Sequence, residues 1–175
     1  MLHRFTTGQA PDGRLAEIRA LVECAFDGHF DAHDWEHALG GDHVVDVVEG
    51  VVVAHGSVVR RRLRVADCWY ETGYVEAVAT DPSYQGRGHG TRVMSAITEL
   101  VHAGCELGAL STGSPGFYRR LGWESWTGPS YVLDGDVARR TTDEDAGILV
   151  LRTAASSTLD LTAPITCETR PGDDW

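Results

Sequence analysis

Apolar residues change their spacing several times along the chain, and each change marks an element. LHRFTT (2–7) is read as a first strand. After GQAPDG, Leu15, Ile18, Val22 and Phe26 recur at helical intervals through RLAEIRALVECAF, which predicts a helix over 14–26. DAHDWEHAL (31–39) reads as a second short helix, capped by Asp31 and ended at Gly40-Gly41. DHVVDVVEGVVVAHGSVVRRRLRV is rich in β-branched residues on both sides of Glu49-Gly50, the pattern of a hairpin. CWYETGYVEAVATD continues as a strand that Asp81-Pro82 ends. Val93, Met94, Ile97, Leu100 and Val101 mark one face of a helix from Thr91 to Ala103. CELGALST (105–112) is a short buried strand, SPGFYRRLGW (114–123) a helix opened by Ser114-Pro115, and SYVLD and GILVLRT are later strands. The tail LTAPITCETRPGDDW is expected to be irregular. The order β, α, α, β, β, β, α, β, α, β, β fits one mixed sheet with helices on its faces, an α/β (α+β) arrangement in a single domain over 1–175.

Composition narrows the class. At 175 residues, 42 % hydrophobic and 23 % charged, the chain suits a soluble globular protein with a full core. No apolar run approaches the ~20 residues that span a bilayer, and the N-terminus lacks a signal-like apolar stretch, so a cytosolic protein without membrane contact is expected. The net charge is −11, and every one of the 15 basic residues is Arg. That balance argues against nucleic acid and favours cationic partners. RRRLR at 60–64, the one basic cluster, suits an exposed strand edge or strand end, with a phosphate or partner contact as the alternative. Cys24, Cys68, Cys105 and Cys167 form no CxxC pair and are expected to be buried free thiols. His29, His33 and His37 recur every four residues, but no HExxH accompanies them, and no metal is expected. Without a GxSxG elbow, a hydrolase triad is not signalled.

The most informative stretch is VEAVATDPSYQGRGHGTRVM, where Gly86, Gly88 and Gly90 alternate between a strand and a helix. A dinucleotide fingerprint starting at Gly86 needs glycine at 91, where Thr91 stands, and a P-loop needs a lysine that the chain lacks. What remains is a glycine-rich turn with bare amides opening a helix, an arrangement suited to a pyrophosphate, or else a flexible loop without ligand.

Gln85-Gly86-Arg87-Gly88-His89-Gly90 resembles the acyl-CoA signature Q/R-x-x-G-x-G/A of the GNAT acetyltransferase superfamily, and VEAVATDP resembles its central strand. DAHDWEHALGG (31–41), GYVEAVA (73–79), LGALS with FYRRLGW, and the terminal RPGDDW are similar, within that superfamily, to the aminoglycoside 2′-N-acetyltransferases. The resemblance implies a GNAT fold, acetyl-CoA as cosubstrate, and a polycationic aminoglycoside as acceptor. Relatives are commonly dimeric, which implies a homodimer. A GNAT enzyme for another small polyamine, amino sugar or cell-wall precursor, and a non-catalytic acyl-CoA sensor, are the alternatives.

Residue roles follow from the same resemblance. The amides of Gln85, Gly86, Arg87, Gly88, His89, Gly90 and Thr91 would hold the pyrophosphate, and Ala77, Val78 and Ala79 the pantetheine arm. Glu76 would be the base, acting through a water. A backbone N–H near Ala77 or Val78, freed at a break in strand pairing, would meet the charge on the carbonyl oxygen. Tyr118 would protonate the leaving thiolate, since a phenol is neutral at pH 7. Asp34, Glu76, Ser111, Glu144, Asp173 and the carboxylate of Trp175 would bind the acceptor. Several have a plain structural alternative: a strand residue facing solvent or in an ion pair for Glu76, a helix-turn acid for Asp34, a strand-end cap for Ser111, a packing ring for Tyr118, and a solvated turn for Asp143, Glu144 and Asp145.

Overall fold

A computed structural model describes residues 1–175, and its elements follow the sequence pattern with a few additions. In chain order they are β1 (Leu2–Thr6), α1 (Arg14–Ala25), α2 (Ala32–Ala38), β2 (Asp42–Val48), β3 (Val51–Val65), β4 (Cys68–Thr80) and α3 (His89–Gly104). Then come β5 (Leu107–Ser111), α4 (Pro115–Arg119), β6 (Glu124–Ser125), β7 (Ser130–Asp134), β8 (Val137–Arg140), β9 (Ile148–Arg152) and β10 (Ile165–Glu168). The strands pair antiparallel except β4 with β5 and β10 with β7, so the sheet is mixed and mostly antiparallel, as expected for the fold class. No helix is long and apolar enough to cross a membrane.

Residue contacts divide the chain into two compact units. The first holds 1–59 and 75–99. In it β1 pairs with β2, and β2 with β3 through the expected turn at Glu49-Gly50. Ile18, Leu21 and Val22 of α1 and Trp35 and Ala38 of α2 bury themselves against Val45, Val52 and Ala79. Asp31 caps α2 as expected: its carboxylate accepts the amides of His33 and Asp34, at 2.7 and 3.0 Å. Val93 and Ile97 of α3 sit so close to β3 that a Cβ at Gly56 would come within 2.7 Å of Ile97 Cδ1. Each such fully buried aliphatic side chain contributes about 1.5–3 kcal/mol.

The second unit holds 60–74 and 100–175, with the strand order β6-β9-β5-β4-β3-β10-β7-β8. Trp123, Leu151 and Val101 close around Gly108, where a Cβ would meet atoms of all three within 3.1 Å.

Several expectations need correction. The tail is not irregular throughout: Ile165–Glu168 form β10, held between β3 and β7. RRRLR lies at the end of β3, one of its two expected places, and not at a sheet edge, because β3 runs between β4 and β10 there. Its guanidinium groups find partners in carbonyls, Glu168 and the rings of Trp69 and Tyr74. Cys24 and Cys68 are exposed, Cys105 is half-buried, and only Cys167 is buried. Helix α3 starts at His89 rather than Thr91, because His89 and Arg92, one turn apart, both reach Asp46. The short strands β6 and β8 were not foreseen.

Candidate functional site

The glycine turn is built by its side chains and presents its backbone. Asp81 accepts the amide of Ser83 at 2.7 Å and starts a 3-10 turn over Pro82–Tyr84. Gln85 Nε2 donates back to the Thr80 carbonyl at 3.3 Å, and the Arg87 guanidinium lies 5.3 Å from the Tyr84 ring centre. His89 is buried, with Nδ1 2.9 Å from Asp46 Oδ2, and Arg92 Nε donates to the same oxygen at 2.9 Å. Burial pushes the Asp46 carboxyl up. Hydrogen bonds from His89, the N-terminal ammonium and Arg92 outweigh that and hold it down at about 2. Gly86 and Gly88 have φ of 73° and 84°, the left-handed region that glycine occupies freely. A Cβ at either would meet nothing within 4 Å, so conformation rather than crowding selects glycine there. The first turn of α3 leaves its leading amides without intrahelical acceptors. Successive bare N–H groups at the positive end of a helix dipole suit an anion such as a diphosphate.

The preceding stretch of β4 is irregular in the first unit. Ala77 has φ of 50°, and it alone of the four non-glycine residues with positive φ lies inside a strand. Its carbonyl accepts from His55 Nδ1 at 2.8 Å, and the Glu76 carbonyl accepts from Ser57 Oγ at 3.2 Å. Two side chains of β3 thus hold two consecutive carbonyls of β4. Glu76, Ala77 and Val78 are half-buried, and Ala79 is buried. Asp34 lies elsewhere in this unit: Oδ2 accepts the amide of Asp31 at 2.9 Å and completes the reciprocal cap of α2.

In the second unit the structure gathers the acidic candidates. Ser111, at the end of β5, donates from Oγ to Glu144 Oε2 at 3.1 Å. Burial raises the Glu144 carboxyl above its ordinary value. The Ser111 hydrogen bond opposes this, and Asp173, Asp143 and Asp174 add to it. Glu144 therefore lies among like charges, whereas Asp145 is neutralised. Arg140 and Ser130 bond its carboxylate, and the Arg140 contact leads in holding it down at about 2. Of the two, Asp145 is held down by Arg140, whereas burial and neighbouring acids raise Glu144.

The C-terminal segment folds back onto this region. Trp175 is 5 % exposed, and its indole N–H donates to Thr141 Oγ1 at 3.2 Å. Asp173 Oδ1 accepts the Trp175 amide at 3.3 Å. Asp174 is the tether. Its side chain takes hydrogen bonds from Thr169, Arg139 and the Arg170 amide, and its carbonyl takes one from Arg61 at 2.9 Å. Tyr118, on α4, is 8 % exposed. Burial pushes its phenol up to about 12 against a hydrogen bond from Thr112, so it is protonated at neutral pH.

Arg61 and Asp174, and the pair His55 and Ser57, were missed from the sequence. For the second pair a signal existed: positions 55 and 57 share one face of a strand. For the first none did, since the partners lie 113 residues apart. No group of three His, Cys, Asp or Glu side chains is arranged to hold a metal ion.

Residues 9–126 match the acetyltransferase (GNAT) domain family. The chain is 43 % identical over 161 residues to the aminoglycoside 2′-N-acetyltransferase of Mycolicibacterium fortuitum, covering 90 % of this chain and 83 % of that one. The fold matches the GNAT-family N-acetyltransferase YhbS of Escherichia coli, solved in complex with CoA. The TM-score is 0.66 at 16 % identity, covering 95 % of this chain and 88 % of that one. It also matches Eis1 of Mycobacterium abscessus, with a TM-score of 0.63 at 15 % identity over 75 % of this chain. The chain spans only a third of that longer protein.

Proposed function

Because the chain belongs to the GNAT acetyltransferase family, we propose that it moves the acetyl group of acetyl-CoA to the 2′-amine of aminoglycosides. The observation that carries the acceptor class is the acidic cluster around Glu144, whose carboxylate Ser111 bonds and whose burial among Asp143, Asp173 and Asp174 raises it above its ordinary value. A polycationic amino sugar supplies the missing positive charge through charge-assisted hydrogen bonds. The likeness to the Mycolicibacterium enzyme supports 2′-amines as the acceptor groups.

Acetyl-CoA supplies an activated thioester. The main-chain amides of Gln85 to Thr91 hold its diphosphate, with the side chains of Gln85, Arg87 and His89 bracing the turn, and Ala77, Val78 and Ala79 hold the pantetheine arm. Glu76, through a water, takes the proton that a protonated amine must lose before it attacks. The irregular backbone at Ala77, with Val78 following it, supplies an N–H to the developing oxyanion. Tyr118 donates its phenolic proton to the departing thiolate. Ser111, Glu144, Asp173 and the carboxylate of Trp175 bind acceptor hydroxyl and amine groups, and Asp34 adds a further carboxylate.

Thiol release from acetyl-CoA, measured with kanamycin B and kanamycin A, tests this directly, since the two differ at C2′ by an amine and a hydroxyl. Turnover of the first and not of the second is expected. Turnover only with unrelated polyamines, amino sugars or cell-wall precursors replaces the acceptor assignment. Tight CoA binding without turnover of any amine makes the chain a sensor.

A further inference from the structure

Two histidines that the reaction does not use lie fully buried in the first unit, His43 on β2 and His55 on β3. His43 Nδ1 is 3.0 Å from His55 Nε2, His43 Nε2 is 2.9 Å from Thr7 Oγ1, and His55 Nδ1 is 2.8 Å from the Ala77 carbonyl. The Ala77 end fixes every proton in this series. A carbonyl only accepts, so His55 Nδ1 carries hydrogen. In a neutral ring Nε2 then accepts, so His43 Nδ1 carries hydrogen too. His43 Nε2 in turn accepts from the Thr7 hydroxyl, and Thr7 Oγ1 itself accepts the Gly40 amide at 2.8 Å. Every polar atom of both rings is satisfied, with all donors pointing toward Ala77. Burial pushes both imidazoles down, which favours the neutral rings that this arrangement uses.

Packing alone does not call for this. Two apolar side chains would fill the space without desolvating four ring nitrogens. What the series reaches is the one non-glycine residue held left-handed inside a strand. Asp27, Glu49 and Ala66, the other three, follow a helix or sit in hairpin turns, where such a conformation is common. A strained backbone persists only where its surroundings over-determine it. The His55 bond to the Ala77 carbonyl and the Ser57 bond to the Glu76 carbonyl do so from one face of β3.

We propose that Thr7, His43 and His55 form a one-way hydrogen-bond series that fixes the Ala77 peptide and so positions Glu76 and Val78 for acetyl transfer. They are positioning residues. The functional half of the proposal rests on the acetyl-transfer reading above, while the proton arrangement does not.

The tests separate the two. Long-range ¹H–¹⁵N correlation on the ligand-free protein at pH 7 should show both rings as Nδ1–H tautomers. An Nε2–H tautomer at either ring overturns the series whatever the substrate. In steady-state thiol release with kanamycin B, His55→Phe should lower kcat about ten- to a hundredfold, the scale of a misplaced catalytic group, with KM for acetyl-CoA changed by less than about threefold. His55→Gln, which donates to Ala77 and accepts from His43, should restore most of the loss. Ala77→Gly added to His55→Phe should recover part of it, because glycine adopts positive φ unaided. Full kcat in His55→Phe, or no recovery in either rescue, overturns the positioning role. Should His55→Phe not fold, the half-exposed Thr7→Val decides: kcat lowered severalfold supports the role, and kcat unchanged overturns it. If instead the unaltered protein turns over no amine, the acetyl-transfer reading fails and the tautomer result still stands.

Discussion

On the reading proposed above, the glycine turn of the first unit and the acidic cluster of the second meet charged ligands by opposite means. In the turn most polar side chains bond within the protein: His89 and Arg92 on Asp46 and Gln85 on the Thr80 carbonyl, while the exposed Arg87 lies over the Tyr84 ring. What is left to a ligand is main chain and that guanidinium. In the cluster the backbone is ordinary, and the side chain of Glu144 is left short of a counter-charge while Asp145 and Asp174 are tied to arginines. A main-chain site reads shape and is tolerant of side-chain change. A side-chain site reads charge and is altered by a single substitution. The first suits a constant cosubstrate and the second a variable acceptor.

Removing the proposed base should have the largest effect. Glu76→Gln keeps the shape of the residue and removes its basicity, so kcat should fall about a hundredfold or more, the usual scale for a general base, with KM for acetyl-CoA nearly unchanged. Stopped-flow or steady-state thiol release checks this. A loss confined to KM would make Glu76 a binding residue only.

The same contrast explains what could be read from the sequence. The glycine turn is contiguous, so its three glycines and flanking strand and helix announce it within twenty residues. The hairpin at Glu49-Gly50 and the Asp31 cap are local in the same way. The cluster is assembled from Ser111, a turn at 142–144 and the tail, so no spacing encodes it. Its candidates came from family resemblance, and only packing distinguishes Glu144 from Asp145. β10 escaped notice because ITCE is short and sits between Ala-Pro and Thr-Arg-Pro-Gly, and its parallel partner β7 lies more than thirty residues earlier. RRRLR looked like an edge because charge usually faces solvent there. Arg61 instead spans the Tyr74 ring, 4.7 Å from its centre, and ties down the tail.

Conformation rather than side-chain identity should govern the turn. Gly88→Ala forces a Cβ residue to φ of 84° and costs about 1–2 kcal/mol, so KM for acetyl-CoA should rise about tenfold with little change in acceptor KM. Arg87→Ala, which removes only a ring contact, should change either by less than about threefold. Should Arg87→Ala prove the more damaging, the turn reads charge after all.

The smallest effects are the most discriminating, because the two regions should respond to acid with opposite sign. Burial holds His55 down to about 3 and His43 below its ordinary value, while unfolded imidazoles titrate near 6.5. Between those values the unfolded chain binds more protons, so this part of the stability is full above about pH 6.5 and is lost as pH falls toward 3. Asp46, held at about 2, loses its contribution lower still, as pH falls from about 4 through 2. Glu144 behaves the other way. Its raised value means the folded state keeps a proton that the unfolded chain has released, so stability is lost as pH rises through the carboxylate range. Glu144→Gln should therefore raise Tm at pH 7 by a degree or two and leave it unchanged near pH 3, while KM for the cationic acceptor rises severalfold. His55→Gln should instead flatten the decline of Tm between pH 6.5 and 4. Calorimetric melts across pH 3–8 measure both. A Glu144→Gln protein that is less stable at pH 7 would mean that the folded protein already neutralises this acid, and the cluster would then hold no unmet charge for an amine to answer.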